Sequence, residues 1–388
     1  MNITETNYFP TEGQLFYFWK GRVALYLMLK ALGIGAGDEV IVPGFTCVVV
    51  PNAVLYTGAT PTYVDIDPET YNVNVQTIEK QITSKTRAII VQSTFGLSPD
   101  LDPIMALAEV HGIPVIDDCT HGLGGSYKDQ PNGTVTDAAF FSSQWSKPIS
   151  TGIGGIAFIR NPELAQRVSE LAKQIPIPSK STEIMLAGQR LLRPLADIPA
   201  LHYPLIKTYR WLTQQLGLSV GSSSNTELTS IEMPADYLKS MGKWQRNAWN
   251  QGLQKLPQTI SKRQNVAKYY NDFFQKETGP TIPVVPSYAE HGMLRYTIRV
   301  PDNSNVLDQA RNSSIPLGDW FTSPLYPING DLTPWKYRRG QCPVAEQACR
   351  EIVNLPTNHA LTESQLQKLF SLQKFSVSKQ LIQTTINQ

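Results

Sequence analysis

Over its first 160 residues the chain alternates short, mostly apolar runs with longer stretches of helical period. Val40-Ile41-Val42, Pro61 to Ile66, Ala88 to Gln92, Ile113 to Ile116, Ala138 to Phe141 and Gly155 to Ile159 are too short for helices. Runs of that kind are strands covered on both faces. Between them, Arg22 to Leu32, Val75 to Ile82 and Pro103 to His111 carry helical spacing. Strand, helix and strand in repetition build a mostly parallel sheet with helices on both faces. The expected class is therefore α/β with three layers. Gly33-Ile34-Gly35-Ala36-Gly37 copies the letters of a dinucleotide loop, but its order is helix, glycines, strand. A dinucleotide fingerprint needs the reverse order, which sets that reading aside.

In such sheets, functional groups gather beyond the carboxyl ends of the strands. Two places there carry chemistry. Asp117, Asp118 and His121 follow one strand; Ser142 and Lys147 follow another, and the chain then enters Gly152-Ile153-Gly154-Gly155. Alone, a lysine in a hydroxyl-rich turn is a surface residue, and an acidic pair at a strand end is a helix cap or a solvated turn. Together and in this order they suit a cofactor that has an aldehyde and a basic ring nitrogen. In pyridoxal phosphate chemistry the aldehyde forms a Schiff base with a lysine, and a carboxylate keeps the ring nitrogen protonated. The released lysine amine then shuttles a proton. The glycines would let the backbone approach a planar group closely.

Elsewhere the texture changes. Residues 1–19 read as an irregular arm, and Thr46 as the cap of a helix through Val54 and Leu55. Tyr237 to Leu256 and Thr259 to Thr278 read as two helices joined at Pro257. From Thr281 onward, an alternating strand at Arg295 to Val300 and helices at 303–312, 343–352 and 362–374 predict a smaller α+β domain. The expected division is a large domain at 1–235, with a helical excursion at about 178–230, and a small domain at 236–388. Arg190, Arg193, Lys207 and Arg210 beside leucines in the excursion offer a membrane- or partner-facing surface. The alternative is a solvated excursion packed on its own domain.

Composition removes several classes of function. A formal net charge of +2 leaves no nucleic-acid footprint. Four cysteines without paired metal spacing predict neither a metal site nor a disulfide framework, and point to a reducing cytoplasm. No apolar stretch is long enough to span a bilayer, and the N-terminus has no signal-peptide pattern.

Several stretches resemble the DegT/DnrJ/EryC1/StrS family of sugar aminotransferases, which have the type I pyridoxal phosphate fold. They are Gly33 to Pro43, Thr62 to Asp67, Gly96 to Asp100, Val115 to His121, Pro343 to Glu346 and Asn354-Leu355-Pro356. The resemblance implies Lys147 as the Schiff-base lysine and Asp118 as the partner of the pyridine nitrogen. It implies His121 at the cofactor ring or its phenolic oxygen, and Ser142 at the phosphate. Where the family opens its first helix with Ser-Gly-Thr around the phosphate, this chain reads Gly21-Arg22-Val23, and Arg22 is expected to supply a forked contact instead. Cys47 stands where an aromatic residue usually stacks on the ring, and Leu238 where an asparagine reaches across a dimer interface. The family implies a homodimer that moves an amino group, from a donor such as glutamate, to a keto sugar linked to a nucleotide. The rivals are a lyase or dehydratase on the same fold, and a catalytically idle homologue with a binding or regulatory role. Lys147 argues against the family's sugar dehydratases that carry histidine in its place.

Overall fold

The computed structural model describes residues 5–196, 225–275 and 282–370. The order begins β1 (Gln14–Phe18), α1 (Gly21–Ala31), β2 (Glu39–Pro43), β3 (Thr46–Cys47), α2 (Val49–Leu55) and β4 (Thr60–Val64). There follow α3 (Val75–Glu79), β5 (Thr86–Gln92), α4 (Leu101–His111), β6 (Val115–Asp118), β7 (Ser126–Tyr127) and β8 (Gln130–Pro131). Then come β9 (Ala138–Ser142), β10 (Gly155–Ile159), α5 (Pro162–Ala172), α6 (Lys180–Ala196) and α7 (Asn225–Thr229). The last part holds α8 (Lys243–Phe274), β11 (Ala289–Glu290), β12 (Arg295–Arg299), α9 (Asn303–Asn312), β13 (Leu325–Tyr326), α10 (Pro343–Glu351), β14 (Ile352–Pro356) and α11 (Glu363–Phe370).

The α/β expectation holds. Seven strands form one sheet in the order β1-β10-β9-β6-β5-β2-β4. The five from β9 to β4 run parallel, while β10 and β1 are antiparallel additions at one edge. Because side chains alternate across a strand, each interior strand feeds two cores. On β6, Ile116 joins the core under α1, α2 and α5, whereas Val115 joins the core under α4. A smaller core gathers the second half of α8 with β12, β14, α9 and α11.

Three expectations are corrected. The first residues do not form an irregular arm: Gln14–Phe18 pairs along its whole length with β10, from Gln14 opposite Ile159 to Phe18 opposite Gly155. Its inward side chains, Phe16 and Phe18, cover the sheet edge's apolar face. Thr46 caps no helix. Its hydroxyl donates to Gln92 Oε1 at 2.8 Å, and α2 starts after Val48 without a side-chain cap. Nor does Pro257 separate two helices. It lies inside α8, where it costs roughly 3 kcal/mol of helix stability. Burial of Trp249, Leu253 and Leu256 before it and of Ile260, Val266 and Tyr270 after it outweighs that cost. Trp249, Leu253, Leu256 and Ile260 pack with Phe141 and Phe158 of the large sheet and with Phe9 from the segment before β1, so the first half of α8 completes that core.

Of the excursion, α6 and α7 are described. Residues 197–224, which hold Lys207 and Arg210, lie outside the described residues, as does the chain after 370; the side chain of Arg193 is likewise not described.

Candidate active site

Strand alternation decides where the acidic pair points. Asp118 is two residues beyond Ile116, so it faces the α1 side, whereas Asp117 shares the α4 side with Val115. Asp117 is fully buried and accepts the Ser93 hydroxyl at 3.3 and 3.4 Å. Burial raises its pKa from the ordinary 3.8 to about 7, with the neighbouring Asp118 adding to the rise and Cys119 and Ser93 opposing it. Asp118 takes the Thr120 backbone N–H at 2.9 Å and faces a cavity of about 360 Å³. That volume is ordinary for a small-molecule site, where roughly 300–1,000 Å³ is typical.

The same alternation on β9 puts Phe140 and Ser142 on the cavity side and Phe141 on the other. The chain then turns through Ser143 to Gly154. Thr151 N–H donates to Ser143 O at 2.8 Å, the two hydroxyls meet at 2.7 Å, and Ser143 N–H donates to Gly154 O at 3.0 Å. Gly154 and Gly155 are required by close approach. A Cβ on the first would lie 2.1 Å from Ser143 Oγ, and one on the second 2.1 Å from the Lys20 carbonyl carbon. This tight loop holds Lys147 against the cavity, buried, with Nζ 4.7 Å from the centre of the Trp320 ring. Burial drives the Lys147 pKa well below the usual lysine range, and Arg295 and Arg263 push the same way. Asp118 and Cys47 oppose them. Asp118 is raised by burial, against its Thr120 hydrogen bonds and Lys147.

His121 is buried in an aromatic stack. Its ring lies 4.9 Å from Trp320 at an interplanar angle of 8°, with Phe321 at 5.7 Å and Phe95 at 5.9 Å. Phe95 N–H donates to His121 Nδ1 at 3.3 Å, which leaves the imidazole proton on Nε2. Burial, with Lys147 and Arg295 nearby, holds its pKa well below the ordinary 6.5, so the ring is neutral.

At the opposite end is the start of α1. Lys20 occupies the position before the helix without a side-chain cap, and Lys20, Gly21 and Arg22 all line the cavity. An uncapped first turn leaves N–H groups and the positive end of the helix dipole for an anion. Gly21 keeps this entry open, since a Cβ there would lie 3.0 Å from Phe141 O. Arg22 is not a solvated residue. It is buried, and its Nη1 donates to Glu227 Oε1 of α7 at 2.6 Å. Val23, by contrast, does not reach the cavity. It is fully buried in the core and its N–H is spent on Lys20 O at 3.1 Å, because one step along a helix turns the side chain about a quarter of the way round. Cys47 is half-buried on the cavity wall, its thiol pushed up by burial and therefore neutral.

The structure thus brings Gly21, Arg22, Cys47, Asp118, His121, Ser142 and Lys147 to one cavity. Sequence reasoning missed Lys20, Glu227, Trp320 and Phe321. Trp320 and Phe321 arrive from a loop nearly 200 residues beyond His121, held where Asn354 Nδ2 donates to Trp320 O and Gly318 N–H donates to Asn354 O at 2.8 Å. The only sequence signal for them was Asn354 in its motif. The residue set suits pyridoxal phosphate: an amine whose pKa burial lowers to about 7, a carboxyl across the cavity, an aromatic wall, and an uncapped helix start flanked by Ser142, Lys20 and Arg22. Among the described residues, no group of three or more His, Cys, Asp or Glu side chains could hold a metal ion. No helix among them is long and apolar enough to cross a membrane.

The chain is similar to known proteins. The model of the DegT/DnrJ/EryC1/StrS aminotransferase family matches residues 18–177 and 241–372. The UDP-2-acetamido-2-deoxy-3-oxo-D-glucuronate aminotransferase of Pseudomonas aeruginosa is 30% identical over 87% of this chain and 79% of its own. GDP-perosamine synthase of Caulobacter vibrioides is 28% identical over 90% and 82%. Among solved structures, aminotransferase TlmJ from Streptoalloteichus hindustanus superposes with a TM-score of 0.70 at 22% identity, covering 92% of this chain and 83% of that one.

Proposed function

This chain belongs to the DegT/DnrJ/EryC1/StrS aminotransferase family, and on that premise we propose that it transfers an amino group from glutamate to the carbonyl of a nucleotide-linked keto sugar. The observation that carries the reading is Lys147 and Asp118 on the walls of one cavity that ends at the uncapped start of α1. Pyridoxal phosphate supplies an electron-withdrawing ring and an aldehyde that takes up and releases the amino group. Lys147 would bond that aldehyde and, once released, would take and return the proton at Nζ. Its pKa, lowered by burial to about 7, leaves a substantial share of the amine unprotonated near neutrality, as both tasks require. Asp118 would face the ring nitrogen and keep it protonated. His121 presents a neutral face backed by Trp320 and Phe321, and this apolar wall excludes water. Ser142, the first turn of α1, Lys20 and Arg22 bind the phosphate.

The test is direct. Purified protein with pyridoxal phosphate, glutamate and a panel of nucleotide-linked keto sugars should form 2-oxoglutarate catalytically, beyond the single equivalent of the first half-reaction, only when a competent sugar is present. A cofactor-loaded protein that aminates none of the panel would overturn the substrate assignment.

The same reading gives a cofactor-holding part, about 1–235, completed by the first half of α8 and by apolar residues of 321–352, and a smaller part built on the second half of α8 with β12, β14, α9 and α11. Free cysteines at all four positions and a biosynthetic activity support a cytoplasmic location. Family membership supports a homodimer of two-fold symmetry. Sedimentation at micromolar concentration should give the dimer mass, and a fully active monomer would contradict it.

A further inference from the structure

Between the two family-matched segments lies residues 178–240, and this stretch places a carboxylate behind the cavity wall. Glu227 of α7 bridges two cations, with Oε1 accepting from Arg22 Nη1 at 2.6 Å and Oε2 from Lys20 Nζ at 3.2 Å. The Glu227 side chain is 1% exposed. Its own backbone is tied down, since Asn52 Nδ2 donates to Glu227 O at 2.7 Å, while Tyr237 OH donates to Arg22 O at 2.9 Å. Lys20 and Arg22 line the cavity, as does Leu228 next to Glu227, whereas the carboxylate itself stands in the layer behind.

We infer that Glu227 is a positioning residue that holds Lys20 and Arg22 as cations against the phosphate end of the cavity, so that the segment outside the family match governs how firmly the cofactor's phosphate is retained. This rests on the assignment of the phosphate end made above. Two like charges on neighbouring buried side chains repel, and desolvation disfavours each of them. A carboxylate between them offsets part of both penalties. The Lys20 ammonium shows the balance. Burial and Arg22 bring its pKa down to about 8, with Glu227 and then Asp236 opposing. Asp236, which also pairs with Lys239 at 2.8 Å, precedes α8, so Arg22, Glu227 and Asp236 are the charged groups that face Lys20 from α1, α7 and the approach to α8. With Glu227 neutralised, Lys20 loses its main support and gives up its proton at lower pH. The phosphate then meets one cation in place of two.

The experiment is a titration of the full-length protein with pyridoxal phosphate from pH 6 to 8.5, for wild type, Glu227→Gln and Lys20→Gln. Pyridoxal, which lacks the phosphate, is titrated in parallel. Relative to wild type, Glu227→Gln should bind pyridoxal phosphate about tenfold more weakly near pH 8, as one lost charge pair implies. The two should come within about twofold at pH 6, where Lys20 is protonated in both. Taking the ratio at each pH cancels the ionisation of the phosphate itself. Pyridoxal binding should not distinguish them. Lys20→Gln should lose the same pH-dependent part, and it serves if Glu227→Gln does not fold. Uniform weakening at every pH would mean that Glu227 only scaffolds α7, and tighter binding would mean that it competes with the phosphate. Either result, or no change, overturns the proposal. Equal wild-type affinity for pyridoxal and pyridoxal phosphate would instead overturn the phosphate-end assignment.

Discussion

Replacing Lys147 with alanine should lower transamination by more than about 10³-fold, since one side chain acts as both nucleophile and proton carrier, and proton transfer alone contributes roughly 10²–10⁴-fold. The fold should survive the change. Lys147 sits in a loop whose geometry is set by Ser143, Thr151 and Gly154, and its Nζ is placed over Trp320 with no hydrogen bond that the loop depends on. Removing a desolvated amine also removes a cost, so the thermal midpoint should be unchanged or higher. The visible absorption of bound pyridoxal phosphate should shift in the variant, because the cofactor can be held only non-covalently. The decisive comparison is single-turnover amination with wild type and variant at equal cofactor occupancy. Activity within tenfold of wild type would remove Lys147 from the chemistry.

The second large effect separates two adjacent residues. Asp118→Asn should reduce turnover about 10²- to 10³-fold, the size expected when a preorganised charge at a reacting centre is lost. Asp117→Asn should leave turnover within about threefold. The two side chains point to opposite faces of β6, and only Asp118 reaches the cavity. Asp117 also holds a proton in much of the neutral range, so asparagine resembles its resting form. Its folded pKa, about 7, lies above the ordinary 3.8. The stability from that bound proton is therefore complete below the unfolded value and is lost as pH rises through about 7. Asp117→Asn should accordingly lose less stability than wild type between pH 5 and pH 8 in denaturant melts. Equal loss of turnover in both variants would show that the strand register does not separate the roles.

That register was legible because parallel strands covered on both faces announce themselves as short apolar runs, and Val115 to Asp118 ends one of them. The loop after β9 was legible for a similar reason: a lysine and then three closely spaced glycines come soon after a buried strand. Remote partners were not. Nothing local marks Trp320 as a neighbour of His121, or Glu227 as the partner of Arg22, 205 residues away. Those contacts depend on how loops return to the sheet. The strand at Gln14–Phe18 shows no polar alternation in its Leu15-Phe16-Tyr17-Phe18 run, and its alternate burial of Phe16 and Phe18 makes sense only once β10 is known to be an open edge. Arg22 was read as a cation in need of an anion, and the nearest anion came from a segment whose sequence gave no sign of it.

The continuous α8 bears on how this enzyme could be recombined with its relatives. A crossover at 235/236 would give the first parent's sheet a foreign set of Trp249, Leu253 and Leu256 to pack on Phe9, Phe141 and Phe158. The chimera would then inherit a mismatched core even if each parental half were intact. The helix passes from one core to the other between Ile260, which packs with the large sheet, and Val266, which packs with β12 and β14. Exchanges placed within that single turn and a half keep the apolar side chains of α8 with their native neighbours on each sheet, although Phe321, Leu325 and Trp335 still return to the large core. Along α8, the boundary between the two cores therefore lies inside the helix, not at the loop where the chain's texture changes.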